Sequence, residues 1–579
     1  MKTLLVAINA KYIHSSLAVR DLKAYSKKYN NNIKYEEYTI NHHIDFILKE
    51  IYKSSPDVLC FSCYIWNIEM VKDLVKEYKK VCPNTKIILG GPEVSYDKDI
   101  MNKLKQIDII IRGEGEKTFY ELQEYFVDGK GDLSQIDGIT YREGDNIIEN
   151  VNRQPLALDE IPFVYQGDLS EFDNKIIYYE STRGCPFNCQ YCLSSVEKGV
   201  RYLSIERTTS DLQKFIDEKV VQVKFVDRTF NCSRKHALSI WKYLSDNDNG
   251  VTNFHFEISA DLLDEETILF LNTVREGLFQ FEIGVQSTNL TTIDYIKRKT
   301  DFERLSNIVK KIKAGNNIHQ HLDLIAGLPG ESYDSFRTSF NDVYYLKPEQ
   351  LQLGFLKVLK GSGLKRDQDK YGLVYREKAP YEILSTNEIS YGEMLRLKMI
   401  EEMVESYYNS FRFNSSITYI EKYFETPFDF YEALADFWEE NNYDKCSHNK
   451  ITYYEILLEF AKNNTDIEIN KLKEFIIYDI YSHEKSKKLP AFYNVEESLT
   501  NQYKKQIKEF YMNEENIDKY LPNLKHFNSK QISRQAHIEV FSFDVKNNDI
   551  SKGETAILFY YSEKSIVSNK AKTVEINLY

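Results

Sequence analysis

The chain of 579 residues is 42% hydrophobic and 28% charged, which is a globular balance with enough apolar mass for about three or four domains. Its formal net charge of −13 argues against a nucleic-acid partner, because phosphate binding depends on lysine and arginine. No stretch approaches the ~20 apolar residues that cross a bilayer. We therefore expect a cytoplasmic protein without a membrane partner.

Residues 1–140 alternate short apolar strands with helices. The predicted strands are 3–9, 33–39, 57–62, 86–89 and 107–111, and helices such as 17–28 and 68–80 lie between them. Strands separated by helices of this length indicate right-handed crossovers. The pattern predicts an α/β domain with a doubly wound, flavodoxin-like parallel sheet.

Ligands of doubly wound sheets bind outside the carboxyl ends of the strands, so the loops there are candidate sites. These loops contain Asn9, Ala10, Tyr12, His14 and Ser15 after the first strand, Ser62, Tyr64 and Trp66 after the third, Gly90, Gly91, Pro92, Glu93 and Val94 after the fourth, and Gly113, Glu114, Gly115 and Glu116 after the fifth. Two of the loops are glycine-rich, which lets a backbone approach a bulky ligand. They lack the spacing of a dinucleotide-binding motif.

The rest of the chain divides into three segments. Residues 141–175 are predicted to be a connector with a turn at 144–146. In residues 176–370, six strands are predicted at 175–181, 223–226, 253–259, 279–286, 321–326 and 350–358. Six parallel strands with outer helices predict a partial (β/α)₆ TIM-type barrel, with its site at the C-terminal strand ends. Residues 371–579 show apolar residues at helical spacing and predict a mainly helical cap, ending in a small β-unit from residue 536.

Three cysteines form the most specific motif of the chain. Cys185, Cys189 and Cys192 follow a predicted strand with the spacing Cys-x₃-Cys-x₂-Cys. Soft thiolates select iron–sulfur clusters or zinc. A closed zinc site needs four ligands, and no fourth cysteine or histidine follows at the usual spacing. Three ligands would leave one iron of a [4Fe–4S] cluster open, while a three-cysteine zinc site is the alternative.

The cysteine motif, with Tyr191 before its third cysteine, resembles the radical S-adenosylmethionine superfamily. The resemblance implies that the cluster binds S-adenosylmethionine, that an electron donor such as flavodoxin or ferredoxin reduces it, and that a 5′-deoxyadenosyl radical forms. Its implied contacts to S-adenosylmethionine are Glu257, Ser259, Gln286 and Ser287 through polar groups, Tyr191 and Gly327 beside the adenine, and Arg298 at the carboxylate. The superfamily often has Gly-Gly-Glu after the second strand; here Asp227, or a backbone carbonyl, would take that role.

A doubly wound domain before such a barrel resembles the cobalamin-binding class of this superfamily, over about residues 1–360. The strand-end loops named above are the implied cobalamin contacts. The Asp-x-His-x-x-Gly motif of classical cobalamin methyltransferases is absent, because His14 has neither the aspartate nor the glycine at the required positions. We interpret His14 as a hydrogen-bonding loop residue, which leaves the lower ligand of cobalt open.

The resemblance implies cobalamin-dependent methylation of an unactivated carbon in an unknown small-molecule or peptide substrate. The alternatives are radical cyclisation or rearrangement without methyl transfer, and a cobalamin sensor with a degenerate barrel. A tRNA methylthiotransferase would need three further cluster cysteines in the N-terminal domain. Only Cys60, Cys63 and Cys82 are available there, and their placement fits poorly.

Overall fold

The computed structural model describes residues 1–97, 99–196, 199–547 and 552–578. The chain forms two compact units. The first comprises Met1–Phe336 and Gly354–Tyr391, and the second comprises Arg337–Leu353 and Gly392–Tyr579. The first unit contains the first large sheet, most of the second one and all of the site residues predicted above.

The first large sheet has seven strands. They are β1 (Thr3–Asn9), β2 (Ile33–Thr39), β3 (Val58–Ser62), β4 (Lys86–Gly90), β5 (Ile109–Ile111), β6 (Ile139–Glu143) and β7 (Asn146–Glu149). Their order is β2-β1-β3-β4-β5-β6-β7. The first five strands pair in parallel. Their order is that of flavodoxin-like sheets, which confirms the predicted fold class.

The last two strands of this sheet form a hairpin that the sequence prediction assigned to the connector. β6 pairs antiparallel with β5 and with β7. The turn predicted at 144–146 is present, and Gly144 takes a positive φ of 59° in it. Ile139 and Tyr141 are buried against the sheet. Because these side chains belong to the core, the sheet continues past the expected boundary at residue 140.

Helices cover both faces of the first sheet. They are α1 (Leu17–Tyr25), α2 (Ile44–Ser54), α3 (Ile68–Val81), α4 (Pro92–Ser95), α5 (Ile100–Lys103) and α6 (Glu116–Asp128). Alternate residues of β1 enter different cores: Leu4 and Val6 pack on one face, and Leu5 and Ala7 pack on the other. Two-sided burial of this kind explains the continuous apolar sequence of β1.

The second large sheet forms the partial barrel. The strands from the connector onward are β8 (Ile177–Tyr179), β9 (Thr182–Cys185), β10 (Gly199–Tyr202), β11 (Gln222–Phe225), β12 (Asn253–Ile258), β13 (Phe279–Gln286), β14 (His319–Ala326) and β15 (Gln350–Phe355). The barrel order is β15-β14-β13-β12-β11-β8, and the pairs from β8 to β14 are parallel. All six predicted barrel strands are therefore present.

The barrel helices alternate with these strands. They are α7 (Ile205–Asp217), α8 (Arg234–Asp246), α9 (Glu265–Leu271), α10 (Leu290–Tyr295), α11 (Phe302–Gly315), α12 (Tyr333–Tyr344) and α13 (Gly363–Arg366). A short hairpin of β16 (Val374–Tyr375) and β17 (Ile383–Ser385) follows them.

The second unit is mainly helical, as predicted. Its helices are α14 (Tyr391–Met403), α15 (Asn414–Ile420), α16 (Pro427–Glu440), α17 (Lys450–Ala461), α18 (Ile469–His483), α19 (Leu499–Gln502), α20 (Lys504–Met512), α21 (Glu514–Tyr520) and α22 (Ser529–Gln535). The strands β18 (Ala536–Phe541), β19 (Thr555–Tyr560) and β20 (Lys572–Ile576) form the expected small antiparallel β-unit. Among the described residues, none of the helices combines the length and the apolar composition that a bilayer crossing requires.

Candidate active site

The cysteine loop starts from a short antiparallel ladder between β9 and β10, in which Cys185 pairs with Gly199. Gly184 has a φ of +97°, and a Cβ there would lie 2.2 Å from the carbonyl oxygen of Gly199. Only glycine fits this close approach, which turns the chain into the loop. Cys185, Cys189 and Cys192 are all free thiols and line one cleft.

Arg298 brings a positive charge close to Cys189. Its Nη1 donates to the Tyr191 hydroxyl at 3.1 Å and lies 4.0 Å from Cys189 Sγ, while Nη2 donates to the Gly284 carbonyl. Burial raises the pKa of Cys189, and the Arg298 charge opposes that rise. A neighbouring cation stabilises a thiolate, which is the form that binds metal.

The cleft at the cysteines has a volume of about 180 Å³. It collects five of the residues that the superfamily resemblance assigns to S-adenosylmethionine, namely Tyr191, Glu257, Ser259, Gln286 and Arg298. These residues come from four different segments of the chain. The C-terminal strand ends of the barrel therefore form a single pocket around the cysteine loop.

Asp227 holds the backbone just before the cysteine loop. Its Oδ1 accepts hydrogen bonds from the backbone N–H groups of Ser181 at 2.8 Å and Thr182 at 3.0 Å, and its Oδ2 accepts from the Ser181 hydroxyl. Burial raises the pKa of Asp227 to about 7, although these hydrogen bonds act to lower it. As far as the structure describes the chain, Asp227 is not part of the cleft wall.

Ser287 and Gly327, two other predicted contacts to S-adenosylmethionine, are not among the described residues that line the cleft. Ser287 is fully buried, and its hydroxyl donates to Glu331 at 2.5 Å. Gly327 forms the turn after β14 with a φ of +82°.

Gln286 and Gly284 form a coupled pair at a bulge between β13 and β14. Gln286 has a φ of 74°, which is unusual for a residue other than glycine. Its Nε2 atom lies over Gly284, where a Cβ would be only 2.2 Å away. Backbone strain of this kind is typical of functional sites. Sequence reasoning missed Gly284, although it stands in the same strand-end segment as Gln286.

Glu257 and Ser259 end β12 in different environments. Burial raises the pKa of Glu257 to about 7, and the nearby Glu282 carboxylate adds to this rise. Ser259 is held through its backbone, because the Asn231 side chain accepts from its N–H at 2.9 Å and donates to its carbonyl at 2.8 Å. Sequence reasoning singled out the segment around Asn231 but not this residue. It also missed the cleft-lining residues Arg228, Thr229, Glu282, Lys299 and Asp323.

The loops after β3 and β4 touch each other through their backbones. The Cys63 N–H donates to the Gly90 carbonyl at 2.7 Å. Gly91 has a φ of +107°, and a Cβ there would lie 2.6 Å from the Cys63 carbonyl oxygen. Within the described structure, the buried hydroxyl of Ser62 has no hydrogen-bond partner. The glycine-rich backbone and this orphaned hydroxyl lie at the sheet edge where a ligand is expected.

A pair of stacked rings forms an apolar surface at the same edge. The Tyr64 and Trp66 rings lie 4.5 Å apart with 4° between their planes. Trp66 Nε1 donates to the Ile8 carbonyl at 2.9 Å, while 43% of the residue remains exposed. The ring pair thus leaves a flat, partly exposed aromatic surface next to the loops predicted as ligand contacts.

Four acidic or polar loop residues of the first sheet contact the later part of the first unit. Glu114 pairs with Arg201. Glu116 pairs with Arg183 at 2.8 Å. Glu93 accepts a hydrogen bond from the Tyr381 hydroxyl at 2.8 Å, and His14 Nδ1 lies 2.6 Å from the Tyr178 hydroxyl. These side chains thus join the first sheet to the barrel.

The remaining predicted loop residues take varied positions. Asn9 donates to the His14 carbonyl, and the Ser15 hydroxyl donates to the Ile176 carbonyl. Ala10 is half-buried, Tyr12 is exposed and Val94 is buried. Pro92 begins α4, Gly113 takes a φ of +69°, and Gly115 precedes the first residue of α6.

Three family models match successive parts of the chain. The B12 binding domain matches residues 3–123, the Radical SAM superfamily matches residues 179–343, and DUF4080, a protein family of unknown function, matches residues 369–559. The second match favours an iron–sulfur cluster over zinc at the three cysteines, because its residues include the cysteine loop and most of the barrel.

Named relatives share these domains. The cobalamin-dependent radical SAM methyltransferase TokK of Streptomyces tokunonensis is 25% identical over 350 residues, which are 55% of this chain and 50% of TokK. The anaerobic magnesium-protoporphyrin IX monomethyl ester cyclase of Synechocystis is 29% identical over 246 residues, 38% of this chain and 46% of the cyclase. The chain thus spans about half the length of these relatives.

A solved structure supports the fold. The cobalamin-dependent S-adenosylmethionine radical enzyme OxsB, with aqua-cobalamin and S-adenosylmethionine bound, superposes with a TM-score of 0.56 at 15% identity, over 84% of this chain and 74% of OxsB. The chain therefore combines, in order, a B12 binding domain, a Radical SAM domain and a C-terminal DUF4080 domain.

Proposed function

We propose that this protein is an enzyme that methylates an unactivated carbon of a small-molecule or peptide substrate. When bound, the [4Fe–4S] cluster with S-adenosylmethionine supplies a 5′-deoxyadenosyl radical, and cobalamin supplies the methyl group. The observation that carries the proposal is that the cysteine cleft and the first-sheet loops belong to one compact unit and are tied together by side chains.

The cleft residues would bind and orient the first cofactor. Cys185, Cys189 and Cys192 would hold the cluster, and Arg298 would lie beside the carboxylate of S-adenosylmethionine. Gln286 would contribute its amide, since its Oε1 is buried without a partner in the described structure. A pocket of this kind accelerates the reaction through orientation and through exclusion of water.

The ion pairs and hydrogen bonds between the two sheets would set the distance between cobalamin and the cofactor in the cysteine cleft. Arg183 lies two residues before Cys185 and contacts Glu116 and Glu180 as well as Glu114. The loop after β5 is therefore anchored to the strand that presents the first cysteine. A fixed separation matters because misplacement by about 1 Å can lower a rate by roughly 10²-fold.

A second candidate is radical cyclisation or rearrangement without methyl transfer. The similarity to the magnesium-protoporphyrin cyclase favours this alternative. The sensor interpretation has less support, because the cysteines and the polar residues of the cleft are all present. A methylthiotransferase also has less support, since Cys60 and Cys63 are buried thiols whose pKa values are raised by burial.

The proposal includes a location and an electron donor. Within the described structure all eight cysteines are free, which is typical of a reducing compartment and supports a cytoplasmic location. A flavodoxin or a ferredoxin would reduce the cluster there.

The first test is anaerobic reconstitution followed by assays for both cofactors. The wild type should bind hydroxocobalamin, form 5′-deoxyadenosine under strong reductant and transfer a labelled methyl group from S-adenosylmethionine to cobalamin. Replacing Cys185, Cys189 or Cys192 with alanine should abolish 5′-deoxyadenosine formation, whereas Cys446→Ala, at an exposed cysteine of the second unit, should not. A wild type that binds no cobalamin would rule out the proposal.

A further inference from the structure

A layer of ionisable side chains lies inside the barrel beneath the cysteine cleft. Lys224 of β11 pairs in register with His255 of β12, and Glu282 of β13 pairs with His321 of β14. Asp323 follows on the same face of β14, because it is two residues after His321. Neither the family resemblance nor the proposed chemistry assigns a role to this layer.

Three of these side chains converge. Glu282, His321 and Asp323 each bring one nitrogen or oxygen atom within 4.8 Å of the other two. His321 is 7% exposed. Glu282 and Asp323 also line the cleft that contains the three cysteines. The convergence point is thus buried on one side and open to the cleft on the other.

The contacts in this layer are close but poorly aligned for hydrogen bonding. His321 Nε2 lies 3.1 Å from Asp323 Oδ1, and His255 Nε2 lies 3.1 Å from Glu282 Oε2. In the described structure, His321 Nε2, Asp323 Oδ1 and His255 Nε2 are nevertheless buried without a hydrogen-bond partner. Two ligand atoms on one metal ion, each about 2.1 Å from it, lie about 3 Å apart at right angles. The separation between His321 Nε2 and Asp323 Oδ1 matches that spacing.

Two carboxylates and one lysine lie in this layer. Glu282 and Asp323 line the cleft, and Lys224 Nζ contacts Glu282 at 2.9 Å. A divalent ion among the three side chains would add positive charge beside both carboxylates.

We propose that Glu282, His321 and Asp323 bind one divalent first-row metal ion, such as Mn²⁺, Fe²⁺ or Zn²⁺, at the floor of the cysteine cleft. Carboxylate and imidazole ligands suit these ions. Three protein ligands leave open coordination positions, and these would face the cleft and bind an oxygen atom of the substrate. The substrate contact rests on the proposed function, whereas the binding of the ion does not.

The test is titration of the full-length, cluster-containing protein with Mn²⁺, followed by EPR spectroscopy. The oxidised [4Fe–4S]²⁺ state is diamagnetic, so the six-line signal of free Mn²⁺ is readily observed and its loss measures binding. We expect one Mn²⁺ per chain beyond the cluster. Asp323→Asn and His321→Gln should weaken binding by about tenfold or more.

His319→Gln is the matched control, because His319 lies two residues before His321 on the same face of β14 and is not one of the three ligands. It should leave the Mn²⁺ affinity unchanged. Wild-type protein that binds neither Mn²⁺ nor Zn²⁺, or an equal loss in the control, would overturn the proposal. Circular dichroism verifies the folding of each variant.

A crystallographic measurement on the wild type provides a second test that needs no variant. An anomalous difference peak of Mn²⁺ should lie among the three side chains, and a peak only elsewhere would overturn the proposal. Mn²⁺ binding without cobalamin binding would contradict the proposed function but leave the metal site standing. The two proposals can therefore fail separately.

Discussion

Arg183 Nη2 lies 2.8 Å from Glu116 Oε1, in an ion pair that is largely shielded from water and connects β9, the strand that ends at Cys185, with the first residue of α6. Asp21 is buried nearby, and its pKa is raised well above its usual value by burial and by the Glu116 and Glu180 carboxylates. One guanidinium thus lies among several carboxylates. Replacing Arg183 should therefore lower the free energy of unfolding and change the position of the cysteine loop.

Arg183→Gln should destabilise the first unit by about 3 kcal/mol, because the loss of one partner leaves buried charge uncompensated. Urea denaturation of the apoprotein measures the free energy of unfolding. Lys80→Gln is the control, since Lys80 and Glu77 form an exposed pair whose removal should cost at most about 0.5 kcal/mol. If Arg183→Gln lowers the free energy of unfolding no more than the control does, the ion-pair network does not stabilise the first unit.

Gly284→Ala should displace the Gln286 amide, because the new methyl group would lie 2.2 Å from Nε2. We expect about tenfold weaker binding of S-adenosylmethionine, measured by isothermal titration with the reconstituted protein. Gly392→Ala is the matched control, since a Cβ at that position meets no neighbour within 4 Å. Unchanged affinity in Gly284→Ala would show that Gln286 does not contact the cofactor.

Glu257 should make stability depend on pH. Its pKa is raised to about 7 in the folded protein, chiefly by burial, so its stabilising contribution is complete below pH 4.5 and is lost as pH rises through 7. Relative to Glu257→Gln, the wild type should therefore lose at most about 3 kcal/mol between pH 4.5 and pH 8. Thermal unfolding across this range, with a chelator present to exclude divalent ions, measures the difference. If the stabilities of the wild type and Glu257→Gln change with pH in the same way, the pKa of Glu257 is not raised in the folded protein.

Trp66→Ala should weaken cobalamin binding by about tenfold, because it removes the exposed ring of the Tyr64–Trp66 stack. Absorbance titration with hydroxocobalamin gives the affinity. Tyr52→Ala is the control, since Tyr52 is 56% exposed on α2 and lies outside the strand-end loops. An equal effect of the two variants would argue against a cobalamin surface at Trp66.

Local patterns in the sequence predicted the elements and the metal chemistry. The bounds of β1 and β2 agree with the prediction residue by residue, because alternation and turn residues lie within the strands themselves. The three cysteines lie within eight residues, so their common loop needed no tertiary information. The prediction of a mainly helical region over 371–579 left its helix boundaries open, and Pro427 with its Thr426 capping box begins one of these helices.

The partners of the site residues depended on the tertiary structure. Glu114 and Glu116 stand in a glycine-rich loop that resembles a ligand site, yet they pair with Arg201 and Arg183, which are 87 and 67 residues away in the chain. Asp227 likewise bonds to Ser181, 46 residues earlier. Such contacts depend on how the crossover helices pack the strands together, and no local pattern encodes that packing.

The sequence by itself thus determined the order of the domains, the strand–helix rhythm and the cluster motif, because each is written in neighbouring residues. Only the tertiary structure decided which strand-end side chains face the cleft and which ones join the first sheet to the barrel. It also brought Glu282, His321 and Asp323 together from two strands. The physical reason is that charge pairing and burial are properties of atoms close in space, whatever their separation along the chain.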